Sequence, residues 1–341
     1  MTESHALTPY REALEQELRE CFSERQGFLY NVLRYHMGWV DQQGQPETAS
    51  PRASFHSLLA PVICEAVTGD YEQAMPVAAA IELLYNFSLV HGDVQAGRLE
   101  AGARPSIWWV WGPAQAINAG DGFHALARVA VMRLADTGLA PERVLRASEM
   151  LDRSCLAMCE GQYADLGFQD RMLVTTGEYD DMIARKSGAL TGCSASGGAL
   201  AAGLDEAEQE VFRDAGVKLG KAWQIMQDVA DFWGREGNAV TSSNVLNKKK
   251  SLPLIHALEN CSTSAKREIG TAYMKRVLES SDLARVVDIM DETGARAYSE
   301  ERARQLATEA IETLETRARD PQCATRLRAL GEMALEAEAR D

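Results

Sequence analysis

The 341-residue sequence has little of what marks several common protein classes. Prolines number ten, and most stand at the ends of helix-patterned segments, as Pro51, Pro76, Pro105, Pro113, Pro141, Pro253 and Pro321 do. There they punctuate helices and do not break them. Its seven cysteines are odd in number and irregularly spaced, which excludes a disulfide scaffold and fits reduced thiols in a cytoplasmic protein. Cys155 and Cys159 stand one helical turn apart. Two thiols alone make no zinc site, so both read as small core residues. Positive charge is scarce: 35 Lys and Arg against 50 Asp and Glu leave a formal net charge of −15. No basic stripe exists beyond Lys248-Lys249-Lys250, so nucleic acid is excluded as a partner. No run of about 18 apolar residues is seen, so an integral membrane protein is not expected. Met1 to Leu18 carries charges of both signs without an apolar stretch, so no signal peptide is expected there.

What is present is a globular composition, 46% hydrophobic and 25% charged. A chain of this length can remove roughly 75% of its unfolded surface from water. Long stretches rich in Ala, Leu, Glu and Arg place apolar residues at helical spacing. They predict helices over Thr8 to Tyr35, Ser54 to Ala66, Pro76 to Val90, Ala114 to Ala135, Pro141 to Leu166, Thr176 to Ala202 and Asp205 to Trp233. Further helices are predicted over Leu252 to Glu259, Ser264 to Leu278, Ser281 to Arg317 and Ala324 to Ala339, with a kink at Pro61. Period-two alternation is nearly absent, so the expected fold class is all-α. No repeat or linker divides residues 1–341, which read as a single domain. Two loops interrupt the pattern. One, Gly92 to Gly112, holds three tryptophans; the other, Gly234 to Ser251, is rich in Asn and Ser and ends near three lysines. Structureless loops of about 20 residues are uncommon in compact domains and favour function.

The segment Lys221 to Trp233, KAWQIMQDVADFW, carries a narrow polar arc. Gln224, Gln227, Asp228 and Asp231 are three and four apart and share one stripe, while the rest is apolar almost all round. Two carboxylates near a core cost several kcal/mol each unless paired. Lysines or a hard cation such as Mg²⁺, which takes one or two carboxylates plus phosphate oxygens, are the expected partners. A second apolar segment, Val77 to His91, ends at Gly92-Asp93, with Gly92 as its stop and Asp93 as a single carboxylate.

Taken together, these segments resemble the trans-isoprenyl diphosphate synthase (polyprenyl synthetase) family over about Ser54 to Leu258. AIELLYNFSLVHGD, Ala80 to Asp93, resembles the helix leading into the family's first DDxxD. Ala119-Gly120-Asp121 resembles a following GD, Gly161 to Asp165 resembles GQxxD, and Lys186 to Leu190 resembles KTGAL. Trp223 to Asp231 resembles FQxxDDxxD, and Lys249 to Pro253 resembles KxTLP. The resemblance implies an isoprenoid synthase helical bundle around a central cavity. It also implies Mg²⁺ held by two aspartate motifs on facing helices, and Lewis-acid departure of an allylic diphosphate.

The departures from that pattern are selective. The first motif reads Gly92-Asp93-Val94-Gln95-Ala96 and keeps Asp93; the second keeps Asp228 and Asp231. The family's GKRxRP falls near Arg52 to Ser57, its Arg-Arg-Gly on Ala101-Gly102-Ala103, and one of its histidines on Tyr85, so the groups that neutralise isopentenyl diphosphate are missing. The resemblance therefore implies Asp93, Asp228 and Asp231 as metal ligands for fewer than three Mg²⁺ ions. Lys186, Gln224 and Lys249 would hold the diphosphate of an allylic prenyl substrate, with Asp228, Asp231 and Lys186 catalytic. Tyr85, Phe87, Trp108 and Trp223 are expected to line the cavity, each ring able to stabilise a cation by roughly 0.5–2 kcal/mol. Three activities stay open: an atypical terpene synthase or lyase, a prenyltransferase to an acceptor other than isopentenyl diphosphate, and an inactive regulatory subunit of a heteromeric prenyl diphosphate synthase. Family assembly implies a homodimer, or a heteromer with an active synthase. Lys186 and Lys249 read equally as surface lysines, and Gln162 and Asp165 as helix-end caps.

Overall fold

The computed structural model describes residues 6–47, 53–101, 104–234, 243–319 and 321–336, and over them the chain is almost entirely helical. The first predicted helix is two, α1 (Thr8–Phe22) and α2 (Phe28–His36). Gly27 between them sits at φ 106°, a backbone state that favours glycine and cannot continue a helix. Helix α3 (Phe55–Thr68) begins at Ser54, whose side chain accepts the Ser57 N–H, and it runs on through Pro61. The Ala60 N–H donates to Ser194 Oγ at 3.2 Å, tying this turn to a neighbouring helix.

Helix α4 (Met75–Ala96) is the spine of the fold, and every residue from Met75 to Asn86 is buried. Its run of alanines lets neighbouring helices approach from all sides. The buried Glu82 accepts the Ser54 N–H and hydroxyl at 3.0 and 2.6 Å, which fixes the start of α3 against α4. Burial pushes the Glu82 carboxyl up. Together with the turn before it, this stretch is by length and mean hydropathy able to cross a membrane, although Glu82, Asn86 and Ser88 interrupt its apolar run. Most of that stretch is buried inside the protein, as a core helix is.

The helix also outruns its predicted end. Gly97, at φ 66°, terminates it, and the Arg98 N–H returns to the Asp93 carbonyl at 3.0 Å. Gly92 is therefore inside the helix and Asp93 is not a loop residue. The expected first loop is structured too, with a two-residue antiparallel pair, β1 (Glu100–Ala101) and β2 (Arg104–Pro105), and a short helix α5 (Ile107–Trp111).

Helices α6 (Pro113–Met132) and α7 (Pro141–Gln169) follow. The capping box of Thr175 and Glu178 then starts α8 (Thr176–Ile183). A π-helical turn, Ala184–Gly188, joins α8 to α9 (Ala189–Ala201), so the predicted Thr176 to Ala202 helix is continuous but bulged. Asp205 and Glu208 form the capping box of α10 (Glu206–Trp233). Next come α11 (Ser243–Leu246), α12 (Leu252–Asn260) and α13 (Thr263–Met274). The predicted Ser281 to Arg317 helix divides at Gly294 (φ 69°) into α14 (Ser280–Glu292) and α15 (Ala295–Glu315), and α16 (Pro321–Leu335) ends the described chain. Arg52, residues 102–103, most of the second loop (235–242) and the predicted last turn (337–339) lie outside the described residues.

The core is built where α4 meets α3 and α6, and where α10 meets α9 and α15. Small residues make the second crossing close: a Cβ at Gly220 of α10 would lie 2.1 Å from Thr191 Oγ1 and 2.7 Å from the Ser187 carbonyl. Only glycine permits that approach, and it seats α10 directly on the π turn. The end of α10 (Val229, Phe232, Trp233) enters a second apolar cluster with α12 and α14.

Candidate functional site

The site begins at a glycine contact. A Cβ on Gly161 of α7 would fall 2.3 Å from the Lys186 backbone nitrogen, so α7 rests against the π turn at that residue. One helical turn further on, Asp165 faces the same way. Its carboxylate, 3% exposed, receives Lys186 Nζ at 2.6 Å and Lys249 Nζ at 3.0 Å on one oxygen. Burial opposes ionisation of Asp165, but the two ammoniums outweigh it and hold its carboxyl well below the usual range. Burial pushes Lys186 down to about 8, with Asp165 pulling the other way, so it stays cationic at neutral pH. The GQxxD spacing thus pairs a close-contact glycine with the carboxylate that fixes two lysines, and the helix-cap reading of Asp165 is corrected. Neither lysine is an ordinary surface residue.

Lys249 arrives from the turn after α11. Lys248 there is in the left-handed region (φ 58°), and the Lys249 N–H donates to the Asn244 carbonyl at 3.1 Å. The same segment touches both walls of the site. Asn244 Nδ2 donates to Asp231 Oδ2 at 2.9 Å, and Asn247 Nδ2 donates to the Ala96 carbonyl at 3.1 Å.

On α10 the predicted polar stripe is a hydrogen-bonded chain. Ser187 Oγ donates to Gln224 Oε1 (2.7 Å), and Gln224 Nε2 donates to Asp228 Oδ1 (2.8 Å). Tyr179, which sequence reasoning missed, donates its phenol to Asp228 Oδ2 at 2.6 Å. Burial, with the Asp228 charge added, pushes that phenol well above its usual range, so it remains a donor. Burial pushes the Asp228 carboxyl up to about 6, reinforced by Asp231 and opposed by the two hydrogen bonds.

Two concavities meet at this chain. A cavity of about 300 Å³ is floored by His56, Tyr85 and Trp223, with His56 4.7 Å from each of the other two rings. Phe87, Met158 and Leu190 also line it. Next to it, a tight space of about 10 Å³ is lined by Asp165, Asp228, Asp231 and Asn244. Lys186, Gln224 and Lys249 line both. His56 lies in the stretch where the family's basic set was sought; an apolar-aromatic neighbourhood in space, invisible in the chain, makes it a cavity residue.

Two predicted residues are elsewhere. Asp93 is 5% exposed, lies 3.6 Å from Arg98 Nη1, and is not among the residues lining either space. Gly92 and Gln95 face the cavity in its place, and Gln162 Nε2 donates to Gln95 Oε1 at 2.7 Å across the mouth. Trp108 does not line the cavity either, because its indole N–H is turned to the Arg98 carbonyl.

The donor chemistry decides what the walls can hold. Asp228 and Asp231 fit one hard divalent cation, and Lys186 and Lys249 beside them fit phosphate oxygens. The α4 wall lines the cavity with no carboxylate among the described residues and does not fit a metal. No group of three or more His, Cys, Asp or Glu suited to a metal occurs among those residues.

Residues 52–290 match the Polyprenyl synthetase family. The chain belongs to that family. It is 34% identical over 297 residues to a geranylgeranyl diphosphate synthase of Mycobacterium tuberculosis, across 86% of this chain and 83% of that protein. It is 29% identical over 313 residues to a (2E,6E)-farnesyl diphosphate synthase of the same species, covering 88% and 84%. Among solved structures, a polyprenyl synthetase from Streptomyces coelicolor superposes with a TM-score of 0.86 at 29% identity, covering 98% of this chain and 99% of that one. A geranylgeranyl pyrophosphate synthetase from Pyrococcus horikoshii gives 0.85 at 27% identity, covering 99% and 100%. The fold is the isoprenoid synthase helical fold, and the family places the chain in isoprenoid biosynthesis. Members of this family use Mg²⁺ and bind allylic diphosphates.

Proposed function

We propose that this family member binds an allylic prenyl diphosphate and ionises it with fewer than three Mg²⁺ ions, without elongating it with isopentenyl diphosphate. One observation carries the reading: the cavity and the acidic space share Lys186, Gln224 and Lys249. An apolar chain in the cavity would present its diphosphate to both lysines. Mg²⁺ bound at Asp228 and Asp231 would supply Lewis-acid withdrawal of electrons from the leaving group.

The protein's own groups do the rest. Lys186 and Lys249, fixed by Asp165, meet the departing pyrophosphate with preorganised charge. The allylic C–O bond breaks and its electron pair leaves with pyrophosphate. Tyr85, Phe87 and Trp223 then face the positive carbon chain, each contributing roughly 0.5–2 kcal/mol. Loss of a proton would give a polyene or cyclised hydrocarbon, and capture by an acceptor nucleophile would give a prenylated product. These are the terpene synthase and prenyltransferase branches of the same reading.

A second reading, a non-catalytic subunit that pairs with an active synthase, is favoured by one feature. The α4 wall, which carries the first aspartate motif in the family, is uncharged at Gly92 and Gln95.

The test is pyrophosphate release by the purified chain with Mg²⁺ and geranyl, farnesyl or geranylgeranyl diphosphate. Release is expected, and Lys186→Ala should reduce it by about 10²–10³-fold, the usual effect of removing one preorganised donor. No release at any chain length, with an effect on a partner synthase's product length, would replace the enzyme reading with the subunit reading.

A further inference from the structure

We infer that Arg98 is an anion-binding residue of the cavity, holding the diphosphate from the α4 wall where this chain presents no carboxylate. The inference rests on the reading that the cavity takes a prenyl diphosphate, and it assigns a second cationic side to it. Arg98 lines the cavity, and its side chain is 10% exposed. Its Nε is buried without a hydrogen-bond partner among the described residues. A buried, unsatisfied guanidinium N–H costs on the order of 1–3 kcal/mol or more, since the group is charged. That Nε is closed to the cavity, so a phosphate would be met by the Nη atoms, where the planar guanidinium fork matches phosphate oxygens and a bound anion would offset the buried charge.

The local structure keeps this fork available. Asp93 lies 3.6 Å from Nη1, close enough to balance the charge but beyond hydrogen-bond length, so it orients the guanidinium without saturating it. The Arg98 backbone is fixed on both sides: its N–H donates to the Asp93 carbonyl, and its carbonyl accepts Ser106 Oγ at 2.8 Å and the Trp108 indole N–H. A Cβ on Gly92 would stand 3.9 Å from Arg98 Nη2. An acidic side chain at position 92 would therefore lie against the guanidinium and compete with any anionic ligand. In a chain of net charge −15, a buried cation facing a cavity is a marked local reversal.

The experiment is calorimetric titration of the full chain with inorganic pyrophosphate and with farnesyl diphosphate, each in EDTA and in Mg²⁺. In EDTA, Arg98→Gln should weaken binding of both by about 10–100-fold, the range for a charged hydrogen bond. Arg98→Lys should recover part of the loss. Gly92→Asp, which keeps Arg98 in place, should weaken binding similarly, and it decides the matter if Arg98→Gln fails to fold. Wild-type affinity in Gly92→Asp and in a folded Arg98→Gln would overturn the inference while leaving the proposed function standing. A wild-type protein that binds neither ligand in either condition would overturn both.

Discussion

The two facing walls of the cavity have diverged in opposite directions. The α10 side, with the π turn and the Lys249 segment, keeps its charges and ties each to another: Asp165 to two lysines, Asp228 to Tyr179 and Gln224, Asp231 to Asn244. The α4 side retains its apolar packing and the helix itself but presents Gly92, Gln95 and Arg98, with Asp93 turned out of the cavity. A carboxylate in a dense network cannot be lost without stranding its partners, at a cost of several kcal/mol. On the α4 side, two of the first motif's three acid positions hold Gly92 and Ala96 instead. The contrast leaves one wall with its carboxylates and lysines and the opposite wall neutral or cationic.

The most severe way to break this contrast is Asp165→Ala. It leaves two half-buried ammoniums facing each other without their shared carboxylate and should cost about 3 kcal/mol of stability, read by denaturant unfolding. A loss under about 1 kcal/mol would mean that the α10 wall is not held by its ion network.

Gly161→Ala attacks the same wall through packing. The new methyl group would collide with the Lys186 backbone, and overpacking of this kind costs about 1–3 kcal/mol. It should also lower pyrophosphate release, because Lys186 moves with the π turn. Unchanged stability and release would show that α7 and the turn separate freely.

The third test uses pH. The Asp228 carboxyl, held up to about 6 by burial, lies above its ordinary value of about 4. Between these values the folded protein holds a proton that the unfolded chain has released. Stability from this group is thus full below about pH 4 and falls as pH rises through about 6, by up to about 1.4 kcal/mol per unit. Asp165 works in the opposite sense, since its stabilisation is present above the ordinary value and is lost as pH falls. Denaturant titrations in EDTA, comparing wild type with Asp228→Asn, isolate the first effect. Parallel curves for the two proteins would show that Asp228 ionises as in water.

The smallest expected effect is on the α4 side. Trp108→Phe removes one hydrogen bond to the Arg98 carbonyl and should cost about 1 kcal/mol. Its effect on pyrophosphate affinity in EDTA should match or exceed its effect on stability. The reverse would make Trp108 a packing residue alone.

Much of this protein was legible in the chain. The helical spacing and the ordered motifs led to the right fold, and the Gln224–Asp228–Asp231 stripe lies on one wall of the candidate site. Helix ends were read less well. Gly92 looked like a stop, yet a single glycine costs a helix only about 1 kcal/mol, and packing carries α4 on to Gly97. Tyr179, His56 and Arg98 gave no signal, because each acquires its role from residues far along the chain.

Sequence alone determined the long helices and their order, though not every division between them, since capping boxes, periodicity and small-residue runs act over a few residues. It also determined that Asp228 and Asp231 share a stripe, because that stripe is the narrow polar arc of the otherwise apolar segment Lys221 to Trp233. Tertiary structure decided which face of α4 looks into the cavity. That helix is apolar almost all round through Asn86, so its pattern points nowhere, and only its packing against α3, α6 and α7 turns Gly92, Gln95 and Arg98 inward and Asp93 away. The same holds for Trp108, whose ring could fill a cavity or brace a turn. Its hydrogen bond to the Arg98 carbonyl, a contact between two separate segments, settles that it braces the turn.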